Sequence, residues 1–352
     1  MKINYRRTLK LATIAFGTIL VLFIAFVGWV WFSTFHPDQA QSASVVNDDA
    51  PMISGEKELK LLNWNIQFLA GSGYYFYYEG GDDTRPSSED IAKTTKKVAQ
   101  VIKEEDPDII LLQEVDDGAK RTDYEDQLQK ILDLLPDEYR SYSSAFYWKA
   151  AFSPHPKILG SVGMKLSVIS KYRIASATRY QLPLKPDNWF VRQFDLKRAV
   201  LEVRLPKETG NELVVFDTHL TAFAFGSDIR TRQVKEVHSL LEQTSSAGNP
   251  WIIGGDFNLQ PPGTGTEEEG VLKPLFDNYR AAPGYEEVNG PEPANWYTHF
   301  PNDPTIKAPN KTIDYFFLSN DISLGDRYVI REDTLDISDH LPLVIELKLS
   351  GT

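Results

Sequence analysis

The chain has 352 residues, of which 42% are hydrophobic and 24% are charged, a composition that supports a large folded core and excludes an intrinsically disordered chain. Its net charge of −12 argues against non-specific nucleic-acid binding, which needs basic surfaces that neutralise phosphates. The absence of cysteine excludes disulfides, thiolate metal sites and cysteine nucleophiles.

The first predicted element is an uncharged apolar stretch at residues 11–32. As a helix it is long enough to cross a hydrocarbon core of about 30 Å. Basic residues precede it and tryptophans mark its far end, which predicts a cytoplasmic N-terminus at residues 1–10 and an extracytoplasmic domain. A cleaved signal peptide is the alternative, and small residues at 40–44 would permit cleavage. We predict a single-pass transmembrane anchor, because signal peptides have apolar regions of only about 7 to 15 residues.

Residues 33–57 are polar, small and proline-containing, which predicts a flexible linker. Residues 58–352 are predicted to form one catalytic domain. Its helices are predicted at residues 88–105, 124–135 and 228–242. Its strands are predicted at residues 59–66, 108–116, 164–170, 199–204, 213–216, 251–254, 313–318 and 343–347. This mixture, without an internal repeat, predicts a single α/β domain.

Polar side chains lie at or near the ends of these predicted strands. Strand ends are where an α/β sheet presents side chains to a cleft, so together they predict one site with the chemistry of metal-assisted phosphate ester hydrolysis. The candidate residues are Asn65, Glu114, His219, Asp256, Asn258, Asp314, Asp339 and His340.

Each candidate also has a structural interpretation. Glu114 could form a buried salt bridge, and Asp256 with the residues after it could form an ordinary Asx turn. His219 could be a core or surface histidine. Asp339 and His340 are adjacent, so in extended backbone they would point in opposite directions, and only an irregular turn would bring both to one atom.

The motifs WN, QE, THL, GDFN, IDYFFLS and SDHLP occur in that order between residues 59 and 349. In this order they resemble the endonuclease/exonuclease/phosphatase superfamily, whose members cleave nucleic acids, lipids and soluble phosphates. The THL motif followed by an aromatic loop is similar to the neutral sphingomyelinase branch. The resemblance implies a DNase I-like fold, which is a four-layer αββα sandwich with its site at one edge of the sheets.

The resemblance also implies a cation site and a phosphate site. Glu114 would be the principal ligand of a divalent metal, with Asn65 nearby and Asp339 reaching the metal or its water. Oxygen ligands suit Mg²⁺, with Mn²⁺ or Ca²⁺ as substitutes. Asn258 and His219, together with Asn65, would hold the phosphate oxygens.

The catalytic roles implied for the remaining residues concern proton transfer. Asp314 would orient His340, which would take a proton from the attacking water, with His219 as a further catalytic group. Asp256 is the alternative group to position that water, and the choice of base stays open. Asp217, an additional acid in FDTHL, is expected to pair with an arginine such as Arg198.

The substrate is predicted from features outside the motifs. The anchor, the acidic charge and three aromatic clusters favour a phospholipid head group, as in a sphingomyelinase or phospholipase C, with the bilayer as partner. The alternative for the aromatics is that they pack against the core. The clusters are residues 74–78, residues 146–148, and Phe223 with Phe225.

Two other functions remain open at this point. An exported nuclease would use a local basic rim, for which the candidates are Lys157, Lys165, Lys171, Arg173 and Arg179. A non-catalytic, membrane-anchored binding domain is the third interpretation, and the complete set of candidate residues argues against it.

Overall fold

The computed structural model describes residues 5–47, 49–54, 58–77, 81–222, 224, 226–266, 268–300, 306 and 308–349. The helices are α1 Tyr5–Ser33, α2 Ser88–Glu105, α3 Gln127–Leu132, α4 Trp189–Phe194, α5 Ile229–Ser246, α6 Lys273–Asn278 and α7 Tyr285–Val288. The strands are β1 Ala40–Ser42, β2 Val45–Val46, β3 Glu58–Asn65, β4 Ile109–Asp116, β5 Ser141–Ser153, β6 Gly160–Ser170, β7 Ser176–Gln181, β8 Ala199–Pro206, β9 Glu212–His219, β10 Trp251–Asp256, β11 Arg280–Ala282, β12 Asp314–Leu318, β13 Ile322–Val329 and β14 Leu343–Leu349.

The strands form two mixed sheets. Sheet I has the order β1-β7-β8-β9-β10-β12-β11, and sheet II has the order β13-β14-β3-β4-β6-β5-β2. In each sheet a parallel pair occupies the middle, β9 with β10 in sheet I and β3 with β4 in sheet II. Every residue of β4 and β10 is buried, as expected for central strands that are covered on both faces.

Three apolar clusters join these elements into four layers. The largest lies between the sheets and includes Leu111 of sheet II and Phe316 of sheet I. A second packs α2 and α3 on the outer face of sheet II, and a third packs α5 and α6 on the outer face of sheet I. The αββα sandwich predicted from the sequence is therefore confirmed.

The N-terminal helix α1 projects from this sandwich. Within the described residues it is the one helix long and apolar enough to cross a membrane or to act as a signal sequence, and no residue of its apolar window is buried. Only its last turns contact the sandwich, where Val30 is buried in the inter-sheet cluster.

The structure places two short paired strands within residues 33–57, the segment that the sequence predicts to be a flexible linker. β1 pairs with β7 at the edge of sheet I, and β2 pairs with β5 at the edge of sheet II. Ile53 is fully buried and donates its backbone N–H to Pro206 O over 3.1 Å. Short edge strands are held by backbone hydrogen bonds, which need no apolar periodicity, so the sequence pattern does not indicate them.

Further elements differ from the prediction, and α3 and β5 are two examples. The helix predicted at residues 124–135 is limited to α3, because Tyr124 has a φ of 64° and the side chain of Asp126 caps the helix. The long strand β5 lies outside the predicted strands, although its first residues alternate between buried and half-buried positions.

Candidate active site

Sheet I brings three of the candidate side chains together. Asp256 at the end of β10 pairs with His219 at the end of the parallel strand β9 and with Asp314 at the start of the antiparallel strand β12. Gly255, with a φ of 152°, makes this pairing possible, because a Cβ there would lie 2.0 Å from Thr218 O. Gly255 is therefore needed for the close contact between β10 and the neighbouring strand β9.

Sheet II contributes Asn65 and Glu114 from its parallel pair. Asn65 ends β3, opposite Gln113 of β4. The register between β4 and β6 shifts between Leu112 and Val115, and Glu114 has a φ of 57° within this bulge. A bulge changes the direction of the side chain that follows it. Gln113 therefore faces the space between the sheets, while Glu114 faces the site.

The last two candidates lie in an irregular segment before β14. Ser338 Oγ donates to Asn65 O over 2.7 Å, and the His340 backbone N–H donates to Ser338 Oγ over 3.1 Å. The bend places side-chain ligand atoms of Asp339 and His340 within 4.8 Å of each other and of His299. The irregular turn needed to bring Asp339 and His340 towards one atom is thus present. His299 is an additional group here, and the motifs did not indicate it.

Asp256 is the centre of the hydrogen-bond network. Its Oδ2 accepts from Asn65 Nδ2 over 3.1 Å and lies 3.2 Å from His219 Nε2 and 3.6 Å from His340 Nε2. Its Oδ1 accepts from the Asn258 backbone N–H over 2.8 Å. Burial raises the pKa of Asp256 to about 6, while the positive charge of His340 acts in the opposite direction. This carboxylate therefore links both sheets.

Asp314 and His340 form a buried pair. His340 Nδ1 and Asp314 Oδ2 are 2.9 Å apart, which fixes the orientation of the imidazole. Burial alone would lower the pKa of His340, but the carboxylates of Asp314 and Asp256 outweigh it and raise that pKa well above the usual histidine value. The two acids therefore favour the protonated form of His340.

His219 differs from His340 in its charge. Burial, together with the positive charges of Arg198 and His340, lowers the pKa of His219 well below its usual value. The neutral ring can donate from Nε2 to Asp256 while Nδ1 accepts from Tyr147 Oη, 3.3 Å away. His219 is thus a positioned neutral group.

Arg198 and Tyr147 are site residues that the motifs did not indicate. The Arg198 guanidinium lies 5.2 Å from the centre of the Tyr147 ring, and its Nη1 is buried without a hydrogen-bond partner among the described residues. Arg198 immediately precedes the buried strand β8, which is the one sequence signal of its position. An unpaired buried cation beside His219 is suited to an anionic ligand.

Glu114 has the environment expected of a ligand for a cation. Only 9% of the residue is exposed. Burial raises its pKa to about 7, and the positive charges of Arg121, Arg198 and His340 limit this rise. Arg121 is held by Asp116 through two hydrogen bonds of 2.7 and 2.9 Å, so it does not form a salt bridge dedicated to Glu114. A buried carboxylate of this kind fits a divalent cation.

The clusters of histidines and acids suited to a metal ion are centred on His340. Among the described residues, one joins His299, Asp339 and His340, and the other joins Asp256, Asp314 and His340. Both offer oxygen and imidazole ligands, which divalent metals accept. Glu114 belongs to neither cluster, so the ligand set of Glu114, Asn65 and Asp339 stays a prediction.

Asp256 and Asn258 form the Asx turn that was the structural interpretation of this segment, since the Asn258 backbone N–H donates to Asp256 Oδ1. Asn258 has a φ of 53°, and its backbone accepts the geometry because asparagine tolerates the left-handed region. Its side-chain Nδ2 donates to Leu220 O over 3.2 Å, beside His219. The residue is half-buried at the site, where a role in phosphate binding stays a prediction.

The expected pairing of Asp217 with Arg198 is wrong. Asp217 is fully buried between the sheets, where its Oδ1 accepts from Gln113 Nε2 over 2.6 Å and its Oδ2 lacks a partner among the described residues. Burial raises its pKa well above the usual aspartate value. Side chains alternate along β9, so Asp217 and His219 share a face, but Asp217 lies deeper between the sheets.

The aromatic clusters are mainly packed, as in their structural interpretation. Phe76, Tyr147 and Trp148 are buried, and Tyr77 stacks on Trp148 with ring centroids 5.2 Å apart. Tyr78, Phe223 and Phe225 lie outside the described residues.

Four of the five candidates for the basic rim form contacts with other described residues. Lys165 pairs with Asp117 at 3.0 Å and with Asp126 at 3.1 Å. Lys171 pairs with Asp106 and with Glu138. Two further candidates are equally unsuited to a rim: Arg179 is buried and donates to backbone carbonyls, and Lys157 donates to Gly81 O.

Comparison with known proteins gives a consistent result. The model of the endonuclease/exonuclease/phosphatase family matches residues 62–340. No curated protein sequence matches the chain.

Solved structures with the same fold include an endonuclease/exonuclease/phosphatase from Beutenbergia cavernae, with a TM-score of 0.57 and 21% identity over 83% of this chain and 72% of that one. The catalytic domain of human Nocturnin, solved with a bound sulfate anion, has a TM-score of 0.55 and 22% identity over 88% of this chain and 98% of that one. Truncated Caenorhabditis elegans TDP2 has a TM-score of 0.52 and 17% identity over 83% of this chain and 98% of that one. At these identities the likeness establishes the fold.

Proposed function

The chain belongs to the endonuclease/exonuclease/phosphatase family, and we propose that it is a membrane-anchored, divalent-metal-dependent phosphodiesterase acting on phospholipid head groups. Members of this family are generally hydrolases of phosphate esters. The observation that carries the chemistry is the network around Asp256, in which Asn65, His219 and His340 converge on one carboxylate oxygen.

A cation held by Glu114, with Asn65 and Asp339, would polarise the phosphoryl oxygen and stabilise the leaving alkoxide. The residues of the chain supply the remaining functions. Arg198 and neutral His219 bind the nonbridging oxygens, on which charge accumulates in the transition state. Asn258 lies beside His219, on the same side of the site.

Proton transfer is assigned to Asp256, with His340 as its partner. Asp314 holds His340 by Nδ1, so its Nε2 points to Asp256 Oδ2. A water bound between these two groups gives its proton to the Asp256 carboxylate, because the neighbouring acids favour the protonated form of His340. His340 donates a hydrogen bond to that water, and Asp314 has a positioning role.

The lipid substrate is supported by the position of the domain. The apolar helix α1 is continuous with the folded sandwich through Val30, and Phe35 N–H donates to Lys149 O over 3.2 Å. Cleavage at residues 40–44 would cut through β1 and its pairing with β7. A retained α1 that spans the bilayer would hold the site beside lipid head groups, on the extracytoplasmic side if the basic N-terminus remains inside.

A substrate panel on the full-length chain in phospholipid vesicles tests this function. The substrates are radiolabelled phospholipids, plasmid DNA and soluble bis-p-nitrophenyl phosphate, each with Mg²⁺ and with a chelator. We expect lipid and bis-p-nitrophenyl phosphate to be hydrolysed in Mg²⁺ and not in chelator. Glu114→Gln is the inactive variant, and Glu104→Gln on the exposed face of α2 is its matched control.

Other outcomes would replace the proposal. Rapid plasmid nicking without lipid turnover would identify a nuclease. Absence of metal-dependent hydrolysis of every substrate would identify a non-catalytic membrane-anchored binding domain.

A further inference from the structure

Two aromatic side chains of the catalytic domain contact the apolar part of α1. Phe190 stacks on Phe26, with ring centroids 6.0 Å apart and an interplanar angle of 23°. Phe152, near the end of β5, contacts Trp29 at 6.0 Å. Both domain residues are exposed, as are two neighbours of Phe190. We name these four residues the apolar patch: Phe152, Trp189, Phe190 and Val191.

We propose that the apolar patch docks on the bilayer that α1 enters, so that the catalytic domain lies on the membrane surface in one orientation. The proposal rests on α1 acting as the anchor in the proposed function. It replaces a domain held away from the membrane by a flexible linker.

The depth of the contact with α1 carries the inference. A helix rises about 1.5 Å per residue, so Phe26 lies about 9 Å inside the end of the apolar stretch at Phe32. The whole stretch at residues 11–32 is about 33 Å long as a helix, close to the hydrocarbon thickness of about 30 Å. A side chain that stacks on Phe26 therefore reaches below the head groups to the acyl chains when α1 spans the bilayer.

The junction between α1 and the domain is short and paired. Val30 is fully buried, and Thr34 forms a backbone bridge with Ala150 of β5. The helix thus leaves the domain directly beside Phe152. This fixed junction prevents the domain from moving away from the membrane surface without breaking backbone and core contacts.

The chemistry of the patch fits a lipid surface. Tryptophan and phenylalanine partition to the membrane interface, and the exposed cations Lys149 and Arg192 neighbour the patch in sequence, where they can meet anionic head groups. A second copy of the chain is the other candidate occupant. The contact with Phe26 favours lipid, because a protein that covers the patch would have to enter the bilayer beside α1.

The patch is also close to the candidate site. Phe152 lies five residues after Tyr147 on β5, about 17 Å along an extended strand. At the other end of α4, Phe194 O accepts from Trp148 Nε1 over 2.7 Å. Docking therefore keeps the site at a fixed distance of this order from the lipid surface. This fixed distance narrows the proposed substrates to head groups of the bilayer that α1 enters.

The test uses the absence of cysteine in the full chain. A nitroxide is attached to Phe190→Cys, and its collision rates with oxygen and with a water-soluble nickel complex are measured in phosphatidylcholine/phosphatidylglycerol vesicles. Tyr285→Cys is the matched control, since Tyr285 is an exposed aromatic beside β11, at the far edge of sheet I from β1. We expect high oxygen and low nickel accessibility at position 190 and the reverse at position 285.

Two results would overturn the proposal. Equal nickel accessibility at both positions would mean that the domain stands off the bilayer. Dipolar broadening between labels at position 190 that disappears on dilution with unlabelled protein would mean that a second copy covers the patch.

A kinetic measurement separates this inference from the proposed function. Trp189→Ser with Phe190→Ser is expected to reduce hydrolysis of lipid in vesicles about tenfold while bis-p-nitrophenyl phosphate hydrolysis stays within about twofold, because only the membrane contact is lost. Equal lipid hydrolysis by the parent protein and the double variant would contradict docking. If the parent protein hydrolyses no lipid, the proposed function fails while the accessibility measurement still decides the docking.

Discussion

The two sheets contribute to the candidate site in different ways. In sheet I, His219, Asp256 and Asp314 are aligned by consecutive backbone pairing, so the ladder itself sets their spacing. In sheet II and its flanking segment, Glu114 and His340 depend on a bulge and on an irregular bend. The regular ladder gives a rigid base, and the irregular positions direct individual side chains toward it.

The largest expected effect is from His340→Ala. The variant removes the partner of Asp256 and Asp314, and we expect kcat to fall by about 10²–10⁴-fold, the range for general acid–base catalysis. Hydrolysis of bis-p-nitrophenyl phosphate measures the loss, and circular dichroism checks the fold. His238→Ala on α5 is the control. Near-native turnover would show that the irregular segment is not part of the catalytic machinery.

Glu114→Gln is expected to have the next largest effect. The amide lacks the charge that binds the cation, so activity at low Mg²⁺ should fall by about 10²-fold and recover in part at high Mg²⁺. Titration of activity with Mg²⁺ measures this change, with Glu104→Gln as control. An unchanged Mg²⁺ dependence would remove Glu114 from the metal site.

Gly255→Ala tests the ladder of sheet I. The added Cβ meets Thr218 O, so we expect a loss of about 3 kcal/mol in the free energy of unfolding. Gly210→Ala is the matched control: Gly210 also has a positive φ, but a Cβ at that position would have no atom within 4 Å, so the variant should lose only about 1 kcal/mol. Denaturant unfolding measures both. Equal losses would mean that backbone strain, and not strand packing, requires glycine at position 255.

Asp217→Asn tests the space between the sheets and has the smallest expected effect. Burial raises the pKa of Asp217 in the folded state, so the folded protein binds its proton more tightly than the unfolded chain. The native carboxyl therefore costs stability increasingly as pH rises above the unfolded pKa of about 4. The variant should be more stable than the parent at pH 7, and this difference should shrink as the pH falls towards about 4. Denaturant unfolding against pH checks this, with the exposed Asp137→Asn as control; a pH-independent difference would contradict it.

Most of the fold followed from periodic patterns. The central strands β4 and β10 carry continuous apolar runs, and α2 carries a helical one, so their positions were predicted closely. β1, β2 and α4 have no such pattern, because edge pairing and contact with α1 hold them in place. The candidate residues were indicated because they end strands, whereas Arg198, Tyr147 and His299 lie in segments without a motif.

The sequence by itself determined the family, the order of the layers and the apolar helix, because these depend on local periodicity and on motifs with fixed residues. Only the tertiary structure decided that β1 and β2 each pair with one sheet, that Asp217 faces Gln113 instead of Arg198, and which aromatic residues stay exposed. Those features depend on contacts between residues far apart in the chain. Local patterns carry little information about such contacts, since many partners would satisfy the same hydrogen bond or cover the same apolar surface.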